Sequence, residues 1–116
     1  MSEFGSYVRE RREALNQDGS YSVRKLAARI KVQPSFLSKV ERGEQPPPSE
    51  AKILALAEEL GEDPDMLLAM AGKVSEELRD IIMRRPRLFA QVIRQLADLP
   101  DHALLRVVRQ VRDGEW

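Results

Sequence analysis

Apolar positions recur at intervals of three and four residues along most of this chain, and the strict alternation that a strand requires occurs nowhere. The clearest stretch is residues 22–43, SVRKLAARIKVQPSFLSKVERG. Val23, Leu26, Ala27 and Ile30 form one helical stripe behind an N-capping Ser22. The stripe breaks at Val32 and Gln33-Pro34, and Leu37 and Val40 resume it. Two short helices around a tight turn are predicted. Ahead of them, Phe4, Val8, Arg12 and Leu15 mark the inward side of a first helix, with Arg9, Glu10 and Glu13 outside. Behind them, Ser49 caps a helix whose apolar face is assigned to Ile53, Leu54, Ala57 and Leu60, and Gly61 ends it. Asp63-Pro64 opens another, DPDMLLAMAG, with Met66, Leu67 and Met70 assigned to the core.

Beyond Lys73 the same periodicity continues. Ser75 is expected to cap a short helix carrying Leu78, Ile81 and Ile82, which stops at Arg84-Arg85-Pro86. The next helix has Leu88, Phe89, Val92, Ile93, Leu96 and Leu99 on one side. Pro100 opens the last, where Leu104, Val108 and Val111 repeat at i, i+4, i+7 opposite Arg106, Arg109 and Arg112. So much apolar surface in roughly forty residues cannot be hidden by these helices alone, and must pack on the preceding helices or on a second copy. The second copy is the expectation, which makes Leu88, Phe89, Val92, Leu96, Leu104, Val108 and Val111 dimer or partner contacts. The whole reads as an all-α protein with a domain at 1–72 and a helical dimerisation or partner-binding extension of about three helices at 73–116.

The helix after Gln33-Pro34 has an unusual outer side. Ser35, Ser38, Lys39 and Arg42 are donors or acceptors, where an ordinary solvated face mixes Glu and Lys. Short hydroxyls and one long amine on an anchored helix suit insertion into the major groove. On periodicity alone, a helical hairpin without any nucleic-acid role is the commoner arrangement. Charge adds direction. Formal charge balances at 19 basic against 19 acidic residues, but residues 1–48 carry net +3, residues 49–72 net −5 and residues 73–116 net +2. The candidate reader therefore lies in a basic segment.

Residues 4–72, with LAARI on one helix and SFLSKVERG on the next, resemble the Cro/repressor (XRE) family of bacterial and phage transcription regulators. Glu41-Arg42-Gly43 followed by a proline-rich stretch is among the more specific parts of the pattern. The resemblance implies a five-helix, lambda-repressor-like DNA-binding bundle. It implies base contacts by Pro34, Ser35 and Lys39, and phosphate contacts by Gln33, Ser38 and Arg42. It also implies an ion pair between Arg12 and Glu41, the alternative being that Arg12 reaches solvent. Phe36 is expected to fill the angle between helices.

Three departures from the family pattern stand out. Residues 16–21, NQDGSY, lengthen the first connection into what is expected to be a protruding loop, a passive insertion, the alternative being contact with a phosphate strand where it enters the next helix. Lys31 stands where the family usually has a left-handed glycine, and Gln33 stands at a position usually held by a Ser or Thr cap. The function implied is a dimeric, sequence-specific repressor reading an inverted repeat through residues 34–40. Two other readings remain: an antitoxin whose C-terminal helices, ending in Trp116, neutralise a toxin and whose own operon is its operator, and an interaction module that binds another protein partner and no longer reads DNA.

Several classes are disfavoured. The absence of cysteine removes disulfides, thiolate metal sites and cysteine nucleophiles, and fits a reducing compartment. The first residues are charged where a signal peptide needs an apolar core, and no apolar run approaches the ~20 residues of a membrane span. A cytoplasmic location off the membrane is expected. His102 beside Asp101 lacks any second histidine or serine elbow, and no glycine-rich phosphate loop occurs. Neither an enzyme nor a metal or nucleotide cofactor is expected.

Overall fold

The structure is a computed structural model that describes residues 3–114; Trp116, the apolar terminus, lies outside them. Its regular elements are all helices: α1 (Glu3–Leu15), α2 (Val23–Arg29), α3 (Pro34–Glu41), α4 (Glu50–Leu60), α5 (Pro64–Met70), α6 (Glu76–Arg84), α7 (Pro86–Leu96) and α8 (Asp101–Asp113). Among the described residues there is no strand, and no helix is long and apolar enough to cross a membrane.

The helix starts follow local chemistry. Ser22, Ser49 and Asp63 each accept a bond from the backbone N–H three residues on, which satisfies one of the donors a helix start leaves over. Gln33 makes no such side-chain bond; Pro34 at the first position of α3 needs no donor partner and presets φ. The ends are also alike. At α2, α3, α4 and α5 the chain turns through one residue of positive φ, at Lys31, Gly43, Gly61 and Gly72. After α2, Lys31 N–H donates to the Ala28 carbonyl at 3.2 Å and Val32 N–H to that of Ala27 at 3.0 Å. This pair of hydrogen bonds satisfies two of the last carbonyls. Lys31, at φ 60, does so without being glycine.

The described chain divides into two compact units between Ser75 and Glu76. In the first, α1 packs on α3, α4 and α5, α2 on α3, and α4 on α5. Every buried apolar side chain among the described residues lies here, from Phe4 and Val8 through Leu26, Leu37 and Ile53 to Leu67 and Leu68. Two expectations of the core fail by a fraction of a helical turn. Leu54 is 40% exposed while Leu56 is fully buried, and Leu68 takes the place given to Met66. In both, several apolar residues share a short helix, and only the direction of the neighbouring helices decides which point inward.

The loop at 16–21 is tied into the bundle. Tyr21 N–H is held by Asn16 Oδ1 at 2.9 Å, and the Tyr21 hydroxyl donates to the Glu59 carbonyl at 3.1 Å. The Arg29 guanidinium lies 4.8 Å from the Tyr21 ring centre. The Ser20 hydroxyl and N–H both donate to Asp18, holding its carboxyl below the usual range. The insertion thus ties α1 and α2 to α4.

The second unit contains α6, α7 and α8, none of which buries a residue fully. Leu88, Val92, Val108 and Val111 are exposed, at 48–59%, and Phe89, Leu96 and Leu104 are half-buried. Leu99, expected on the same helical face, follows the end of α7, where Leu99 N–H closes a turn onto the Leu96 carbonyl at 3.1 Å. Asp98-Leu99-Pro100 leads into α8, and the residue before a proline avoids the helical region.

Candidate nucleic-acid interface

α3 is anchored from behind by Leu37 and Val40, which are almost wholly buried, and by the half-buried Phe36 packed at the core edge. Its forward side is open. Gln33, Pro34, Ser35, Lys39 and Arg42 are exposed and Ser38 is half-buried. Ser35, Lys39 and Arg42 follow one another at i, i+4, i+7 and so share a stripe. The residues assigned to bases and phosphates thus lie on α3 or at its two caps, Gln33 and Arg42, with an amine and a guanidinium toward the C-terminal end.

The tilt of α3 is set by two contacts with α1. Arg12 donates through Nε to Glu41 Oε2 at 2.7 Å and through Nη2 to Oε1 at 2.9 Å, a forked pair with both side chains more than nine-tenths buried. Its Nη1 continues to the Tyr21 carbonyl at 3.2 Å, which satisfies the guanidinium on a third side. The hydrogen bond from Arg12 to Glu41 raises the guanidinium's affinity for its proton against the opposing effect of burial. The second contact is main chain to main chain. A Cβ at Gly5 would sit 2.2 Å from the Val40 carbonyl oxygen and 2.9 Å from that of Glu41, so α1 can lie this close only with glycine there. Gly5 was not singled out from the sequence. Its one signal was a glycine within a helical stripe, which usually has a packing reason.

Around these contacts lies a shallow cleft of about 210 Å³ lined by Arg9, Arg12, Val23, Ser38, Glu41 and Arg42. Arg9 is paired with Glu13 at 3.3 Å. At its edge, Arg42 donates to the Ser38 hydroxyl and to the Glu44 carboxylate, and that donation holds the Glu44 carboxyl below its usual range. Lys52 holds the end of α2 from the other side, donating to the Ile30 carbonyl at 2.9 Å and the Lys31 carbonyl at 3.3 Å. Arg24 and Lys25, exposed in the first turn of α2, add positive charge on that element. The arrangement offers cationic and hydroxyl donors along one side of α3, the chemistry that a phosphate backbone and base edges accept.

A family model described as a helix-turn-helix domain matches residues 3–70. No curated protein and no solved structure matches the chain.

Proposed function

Because this chain belongs to the helix-turn-helix domain family, we propose that it is a sequence-specific DNA-binding regulator of transcription, a cytoplasmic repressor acting as a dimer on an inverted repeat. The observation that carries the reading is the division of α3 into a buried back, Leu37 and Val40, and an open stripe of Ser35, Lys39 and Arg42. Seated in the major groove, Ser35 and Lys39 hydrogen-bond base edges, and Pro34 supplies apolar contact to a thymine methyl. Gln33, Ser38 and Arg42 meet the sugar-phosphate strand, and most of the affinity comes from these charge contacts and falls with salt.

The apolar sides of α7 and α8 support the dimer. Leu88, Val92, Val108 and Val111 remain 48–59% exposed, and a second copy would cover them while supplying the two-fold symmetry of an operator.

Selection of duplexes from a random pool tests the reading. Recovery of an inverted repeat with half-sites about one helical turn apart is the expected outcome. A single half-site keeps the reader and assigns the C-terminal helices to another partner, such as a toxin. No enrichment overturns the reading in favour of a protein-interaction module. On the selected sequence, Lys39→Ala is expected to cost about 1–3 kcal/mol and relax preference at one position, whereas Arg42→Ala weakens all sequences alike.

A further inference from the structure

The ending of α3 sets an acidic residue beside the guanidinium assigned to phosphate. Gly43 N–H donates to the Val40 carbonyl at 3.1 Å and Glu44 N–H to the Lys39 carbonyl at 2.8 Å, so the main chain fixes where Glu44 emerges. The residue at that point of such an ending usually makes an apolar contact with the last helical turn. Here it is a carboxylate, and the negative end of a helix is an unfavourable place for one. Its partner is Arg42, which also bonds Ser38, so the three side chains form one linked set, of which Ser38 and Arg42 line the cleft.

A carboxylate presents to a guanidinium a pair of anionic acceptor oxygens, as the two non-bridging oxygens of a phosphodiester do. We propose that Glu44 is a built-in competitor for DNA phosphate: its carboxylate occupies Arg42 in the free protein and must be displaced before that guanidinium engages a duplex. The proposal rests on the DNA-reading function above and adds a residue which that function does not use. The competition is the same for every sequence, so Glu44 lowers binding to all DNA and leaves the contacts of Ser35 and Lys39 to separate one site from another.

The test is binding of a fluorescent random-sequence duplex at low ionic strength, read by anisotropy for the wild-type protein, Glu44→Gln, Arg42→Ala and the double variant. Glu44→Gln is expected to bind about two- to five-fold more tightly, the size an exposed ion pair carries. That gain should vanish when Arg42 is alanine. Unchanged or weaker binding by Glu44→Gln overturns the proposal. So does a gain that survives in the Arg42→Ala background, since it would then come from net charge alone. Failure of the wild-type protein to bind any duplex removes the DNA-reading function itself, and the competitor with it.

Discussion

Lys31 adopts φ 60, the one non-glycine residue of positive φ among those described. Its Cβ pays about 1–2 kcal/mol there, of which the greater freedom of glycine in the unfolded chain would return roughly 0.4–1 kcal/mol. Lys31→Gly is therefore expected to stabilise the protein by about 0.5–1 kcal/mol in denaturant melts, a net of those two effects. The Lys31 carbonyl keeps its bond from Lys52 in either case, because the substitution leaves the main chain in place. Gly5 behaves oppositely. Alanine is the better helix former by up to about 1 kcal/mol, yet its Cβ would strike the Val40 carbonyl. Gly5→Ala should lose about 1–3 kcal/mol, and a stabilised variant would show that α1 and α3 part without cost.

Between elements, the forked pair of Arg12 and Glu41 joins α1 to α3. Removing either partner leaves a charge stranded in the interior, at a cost of about 3–5 kcal/mol. Thermal melts of Arg12→Ala, Glu41→Ala and the double variant should show the double losing far less than the two singles summed; additive losses would mean the pair is uncoupled. Much at this scale was legible in the sequence. Ser22, Ser49 and Asp63 mark helix starts by chemistry that acts within three residues, and the all-helical class follows from the spacing of apolar positions. What was not legible depends on contacts distant in sequence. Leu56 replaces Leu54 and Leu68 replaces Met66 because neighbouring helices choose the inward side. The anchoring of the loop at 16–21 is not legible because its partner, the Glu59 carbonyl, lies 38 residues away from Tyr21. At the interface, the exposure of Ser35, Lys39 and Arg42 follows from helical spacing, whereas the linked set with Glu44 depends on how the chain leaves α3.

For the whole molecule, the distribution of burial is uneven. The first unit holds all the buried apolar side chains described, and the second holds none. A chain ending at Ser75 is accordingly expected to melt within a few degrees of the full chain and to sediment as a monomer, the full chain sedimenting as a dimer. Collapse of the shortened chain would show that α6, α7 or α8 completes its core. The meeting of α1 and α3 at Gly5 carries a consequence on a longer timescale. Because bare main chain sets part of the angle between them, that part does not change when side chains do. Substitution can rewrite the outward residues of α3, and with them the vocabulary of the reader, while the part of its aim that Gly5 sets stays the same.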